Sequence, residues 1–269
     1  MSSLSISAAW EQSKAIVARE GRLLAAVALA LIVLPQVVLA VVGLPLGPDA
    51  TMLSKLIYVA VVILGFVAQI ALNRLAIGPS VTVADAITMA LSRVVSLFAA
   101  IFAVLIGLVL VAIVLMTAMG AAKLITIPVP GQTPPPALIG LLVLLTALAF
   151  AIFQLIFPVA AVETGNPLRL LSRSWQLARG HYLRLLAFIL IVFTGLGVVV
   201  LLSQLGVGSM VLLTLGPPNA GSLSALVLGL VAGTIQAGFT VVTAVMLARI
   251  YVQLAGRGEL QPGVPNSGI

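Results

Sequence analysis

The sequence predicts an all-α integral membrane protein with six transmembrane helices, arranged as three repeats of a cytoplasmic interfacial helix followed by a two-span hairpin. Three observations carry this. Hydrophobic residues fill 62% of the 269 positions and charged residues only 7%, whereas soluble domains carry about 25% charged residues. Six apolar runs are each long enough, at roughly 20 residues or more, to cross about 30 Å of hydrocarbon. Lysine and arginine fall almost entirely on one side of those runs.

The first run spans 23 to 43 and follows the helical segment "SISAAWEQSKAIVARE". It is too long for the apolar part of a cleaved signal peptide, and Glu11, Lys14, Arg19 and Glu20 precede it, so it reads as a retained span. "GLPLGPD" ends it, and the second span covers 56 to 76. The second copy of the pattern starts with "VTVADAITMALSR", where Thr82 and Asp85 have the spacing of a capping box. The third span, 95 to 119, leads through "IPVPGQTPPP" to the fourth, 137 to 161. The third copy starts with "NPLRLLSRSWQLARG" and continues into the fifth span, 183 to 204. Three readings stay open for "LGVGSMVLLTLG": a continuation of the fifth span, a re-entrant piece, or a surface segment. "TLGPPNAGS" leads to the sixth span, 224 to 248. Residues 1–258 therefore form one membrane domain, and 259–269 a flexible tail. Pro35 and Pro158 are expected to kink the first and fourth spans.

The chain has 13 Lys and Arg against 6 Asp and Glu. Lys14, Arg19, Arg22, Arg74, Arg93, Arg169, Arg173, Arg179, Arg184, Arg249 and Arg257 lie on one side; only Lys55 and Lys123 lie on the other. That side, with both termini, is predicted to be cytoplasmic. A net charge of +7 could suggest nucleic acid in a soluble protein. Spread between apolar runs, it points instead to membrane orientation and anionic lipid. Nucleic acid is not an expected partner. With no cysteine, the chain has no disulfide framework and no thiolate metal site.

The scarce polar residues concentrate in "PVAAVETGNPLRLLSRSWQLARGHYLRLL". Asn166 before Pro167 is a helix start and Gly180 a helix stop. Stepping about 100° per residue places Arg169, Ser172, Arg173, Gln176 and Arg179 within roughly 120°. Leu168, Leu170, Leu171, Trp175 and Leu177 fill the opposite half, as in a helix lying in the membrane interface. Trp10 falls in the first such segment. Arg169, Arg173, Arg179, Arg184, Trp175 and Trp10 are thus the expected lipid or partner contacts. Glu163, where the fourth span leaves the membrane, needs a cation. Arg169 and Arg173 are its nearest candidates in sequence, and the structural ion pair is assigned to Glu163 and Arg173.

This segment resembles the signature of the glycerophosphoryl diester phosphodiesterase membrane-domain family, bacterial polytopic proteins and domains, through Pro158, Glu163, Arg173, Ser174, Trp175, Arg179 and Gly180. Tyr251 and Arg257 match its closing motif loosely. The resemblance implies a bacterial inner-membrane protein and only the membrane region, without the catalytic domain that follows it in some members.

Chemistry within the chain is sparse. His181 is the sole histidine, with no second histidine or cysteine to share a metal, so neither a metal nor another cofactor is expected. A hydrolytic triad would need Asp49, expected across the membrane, or Asp85, assigned to capping. A lipid phosphodiesterase using Glu163 or His181 is the enzymatic alternative, and a non-catalytic protein is the expectation. In the spans, Gln69, Asn73, Gln154, Gln236, Thr240 and Thr243 are polar, and the last group shares a helix face. A permease for a lipid or amphiphile would need an open path past Gln236 and Thr240; a tightly packed bundle would exclude it. Gly229 and Gly233 stand in the register of close helix contacts, either internal or at a dimer seam. The expected partners are membrane lipids, anionic ones included, and a second copy or another membrane protein.

Overall fold

The computed structural model describes residues 4–44, 47, 50–78, 81–122 and 136–256, except the side chain of Ala137. Asp49, Lys123, Arg257, most of the "IPVPGQTPPP" loop and the tail 259–269 lie outside the described residues. Of the described residues 88% are helical, and none is in a strand. The helices are α1 (Ile6–Ala28), α2 (Leu34–Val42), α3 (Met52–Ile77), α4 (Val83–Ala121), α5 (Pro136–Phe153), α6 (Ile156–Val162), α7 (Pro167–Ala178), α8 (Tyr182–Ser203), α9 (Ser209–Leu215) and α10 (Leu223–Leu254). They give six helical stretches long and apolar enough to cross a membrane: Ile6–Val42, Met52–Ile77, Val83–Ala121, Leu138–Val162, Tyr182–Leu215 and Leu223–Leu254. The protein is a multi-pass membrane protein.

Two expected breaks do not occur. α1 and α4 run without interruption from the amphipathic segment into the span. Gly21 lies inside α1, where a lone glycine weakens a helix without ending it. At 39 residues, α4 is about 58 Å long, far more than the hydrocarbon thickness. Only the third amphipathic segment is a separate helix, α7, which stops where Gly180 takes φ 87°, a left-handed conformation open to glycine. The segment after the fifth span continues it: a π turn over Gln204–Gly208 joins α8 to α9.

Both prolines act locally. Pro35 supplies no N–H, so the carbonyl one turn earlier loses its partner, and a π turn over Leu29–Val33 absorbs the mismatch. Pro158 has the same effect on Gln154, and the fourth span breaks at Gln154 and Leu155 between α5 and α6. Hydroxyls cap four helix starts. Ser5, Thr51, Thr82 and Ser222 accept from the N–H three residues on, at 3.2, 3.2, 3.1 and 3.1 Å. The Thr82 hydroxyl also donates to the Asp85 carboxylate at 2.6 Å. Asn166 occupies its expected cap position, but its side chain makes no cap hydrogen bond; its carbonyl accepts from the N–H groups of Arg169 and Leu170.

Packing is uneven along the bundle. Buried residues of α3 run almost entirely from Val67 to Ala76, those of α4 mostly from Ala86 to Ala100, and those of α10 are densest from Ala244 to Tyr251. All three sets belong to the arginine-rich end. Toward the opposite end the spans separate, and α2 against α10 is a close contact that persists there. A Cβ at Gly229 would stand 2.7 Å from the Ala40 Cβ, and one at Gly233 would stand 3.2 Å from the Val33 Cα. The glycine pair is therefore an internal seam, where small residues let two backbones approach. In the most apolar window of each span only 17% to 33% of residues are buried by protein, so most of the apolar surface is left for lipid.

Candidate functional site

Spans two, four and six all end at the arginine-rich end, and each helix end leaves carbonyls with no partner in its own helix. Arginines from other elements donate to two of those ends. Arg93, ten residues into α4, donates to the Ala160 carbonyl of α6 at 2.7 Å. Arg249 of α10 donates to the Ala76 carbonyl of α3. Positive charge at a helix C-terminus also opposes the partial negative charge of the helix dipole. Arg184, though exposed, donates to the Leu4 carbonyl at 2.6 Å and so ties α8 to the start of the chain. The Ser5 N–H donates to Gln253 at 3.1 Å, joining that start to the end of α10.

Glu163 is the hub of this end. Its Oε1 accepts from Arg173 Nε at 3.1 Å and from the Tyr251 hydroxyl at 2.9 Å. One carboxylate thus connects the end of α6, the middle of α7 and the end of α10. Arg169 approaches from the side, its stem crossing Gly165 so closely that a Cβ there would stand 3.0 Å from the Arg169 Cδ. Among the described residues, none pairs with the Arg169 guanidinium.

Two polar cavities meet at Glu163 and Thr164. One, of about 550 Å³, is lined by Glu163, Thr164, Arg169, Ser172, Arg173 and Gln176. The other, of about 230 Å³, adds Ser92, Arg93 and Ser96 from α4. Three arginines, one carboxylate and the hydroxyl residues Ser92, Ser96, Thr164 and Ser172 line the two cavities. That arrangement suits an anion, since planar guanidiniums donate in pairs to phosphate or carboxylate oxygens.

α7 has three sectors, where the sequence pattern suggests two. Leu170, Ser174, Leu177 and Ala178 are buried against the bundle, so Leu170 and Leu177 do not face outward as expected. Leu168 and Trp175, 73% and 45% uncovered, form an outward apolar strip. Arg169, Ser172, Arg173, Gln176 and Arg179 make up the polar side. Trp175 stacks loosely between Phe153 and Tyr182, with ring centroids at 6.3 and 5.9 Å, and Trp10 is also 45% uncovered. The Ser174 hydroxyl donates to the Ile152 carbonyl at 3.2 Å, satisfying a group beside the break that Pro158 makes. His181 precedes α8 with its buried Nδ1 unpartnered among the described residues.

Sequence reasoning places Glu163, Arg169 and Arg173 together but counts Arg93 only toward orientation. The available signal is the spacing of Ser92, Arg93 and Ser96, which puts all three within about one helical turn of the capped α4 segment. Gln36, which lines two cavities in the spans, is also missed, because a glutamine next to Pro35 reads as part of the kink. Comparisons with protein-family models, curated proteins and solved structures find no match for the chain.

Proposed function

We propose that the protein is a non-catalytic module of a bacterial inner membrane that holds anionic lipid headgroups at its arginine-rich, cytoplasmic end. Its role is that of a scaffold or anchor in envelope or lipid homeostasis. The observation that carries this is the convergence of Arg93, Arg169 and Arg173 on two adjoining polar cavities, with Arg169 left unpartnered among the described residues. The outward strip of Leu168 and Trp175 beside the polar face of α7 supports an interfacial position for that helix. The amphipathic starts of α1 and α4 are read as the equivalent elements of two earlier repeats, each fused to its span. Membership of the glycerophosphoryl diester phosphodiesterase membrane-domain family is proposed on the Pro158 to Gly180 segment.

Each basic side chain near an anionic surface contributes about 1 kcal/mol. Replacing Arg169, Arg173 and Arg179 by Gln is therefore expected to reduce phosphatidylglycerol retention roughly a hundredfold, read by native mass spectrometry of the extracted protein. Retention equal to the parent refutes the reading. The pair Arg169→Gln and Arg179→Gln spares the Glu163 contact and separates headgroup binding from structural loss. A second reading, a small permease for a lipid or amphiphile, is favoured by one observation. Open clefts lie beside Gln36, Gln236 and Thr240 rather than a tightly packed interior.

A further inference from the structure

Gln236 lies 13 residues into α10, which begins at Leu223 and ends at Leu254. That is about 20 Å from one end of the helix and about 27 Å from the other, so its carboxamide sits at mid-span depth. It is exposed. Gln36 of α2 and Gln69 of α3 stand on the facing walls. Among the described residues, the side chains of these three glutamines hydrogen-bond to none. A carboxamide with no partner in hydrocarbon is costly, because no water is there to replace the missing hydrogen bonds.

Two clefts meet at Gln36 and Gln236. The larger, of about 600 Å³, is bounded by α2, α8 and α10 and includes Tyr58, Ser203 and Gln204 among its walls. The smaller, of about 340 Å³, reaches toward Gln69 and Thr240 and is otherwise walled by aliphatic side chains, Phe66, Phe150 and Phe157. Both volumes fall in the range of small-molecule sites, roughly 300 to 1,000 Å³. All of these walls except Pro218 are span residues, so the half-open sides lie mostly in the region of acyl chains. No charged side chain lines either cleft among the described residues. A charged head at this depth would find no counter-ion, whereas carbonyl or hydroxyl oxygens would find carboxamide donors and acceptors.

We infer that the paired clefts bind a neutral amphiphile, its carbonyl or hydroxyl head between Gln36 and Gln236 and its hydrocarbon tail along the apolar walls toward the lipid. This names a ligand class for the cleft on which the permease reading rests. Binding without transport would leave the inference standing and that reading fallen. It is independent of the headgroup site, which has different walls and the opposite charge requirement.

The test uses the full chain, extracted from phosphatidylcholine vesicles doped with dioleoylglycerol, decylubiquinone or dioleoylphosphatidylglycerol, with retained molecules identified by native mass spectrometry. The wild type should retain one of the two neutral probes. Dioleoylglycerol would assign a glycerolipid source, and decylubiquinone a quinone source. Gln36→Leu combined with Gln236→Leu removes the polar partners without removing volume, and should lower that retention roughly tenfold. Ala232→Phe fills the larger cleft and should lower it by a similar factor. Both variants should elute as the wild type does and hold dioleoylphosphatidylglycerol equally well. Wild type that retains neither neutral probe overturns the inference, as does either variant retaining the neutral probe at the wild-type level.

Discussion

Replacing Glu163 by Gln probes the joint between three helices. In the parent, one oxygen accepts from Arg173 Nε at 3.1 Å and the Tyr251 hydroxyl at 2.9 Å, with Glu163 20% and Arg173 35% exposed. A fully buried pair loses about 3–5 kcal/mol when one partner is removed, and an exposed pair is worth about 0–1 kcal/mol. Partial exposure puts this pair between the two limits. Glutamine keeps one acceptor oxygen but loses the charge, so the expected loss is about 2 kcal/mol. Tyr251→Phe alone should cost about 1.5–3 kcal/mol, the usual value of a hydrogen bond to a charged group. Because both donors share one oxygen, the double variant should cost less than the sum by about 0.5 kcal/mol or more. Unfolding of the purified protein in mixed micelles titrated with dodecyl sulfate measures all three. A Glu163→Gln loss under about 0.5 kcal/mol, or strict additivity with Tyr251→Phe, would refute the hub.

Three further outcomes are expected. Gly233→Leu forces a side chain into the Val33 backbone, 3.2 Å from a Cβ at that position. It should destabilise the protein by about 1–3 kcal/mol, while cross-linking shows the same oligomeric state as the parent, since the seam is internal. Ser174→Ala leaves the Ile152 carbonyl without its donor at the Pro158 break, and the same micelle titration should register a loss of about 1 kcal/mol. Gly180→Ala places a Cβ at φ 87° and should cost about 1 kcal/mol. With no neighbour within 4 Å of that Cβ, the loss should come from backbone strain alone, so Gly180→Asn, which tolerates the left-handed region, should recover part of it.

The hydropathy of the sequence located all six spans, and Thr82 and Gly180 marked two helix boundaries in advance. A span must satisfy its backbone within itself and face acyl chains, so its existence depends on local composition alone. Even so, local rules overcounted breaks, setting the amphipathic starts of α1 and α4 apart from their spans. A continuous helix runs through both places, because no residue there removes an N–H or requires a left-handed turn. The Glu163 and Arg173 pair was legible because ten residues bridged by one short helix leave few alternatives.

Tertiary structure decided the rest. Tyr251 reaches Glu163 across 88 positions, Arg249 reaches the Ala76 carbonyl across 173, and Gly229 meets α2 while Gly233 meets Val33 in the π turn before it. These depend on how each helix is rotated about its axis, and lipid, as apolar as the leucines it contacts, exerts little preference over that rotation. Side-chain shape and a few hydrogen bonds fix it instead, which is why the packed arginine end and the open clefts around Gln36 and Gln236 emerge only when all six spans are assembled.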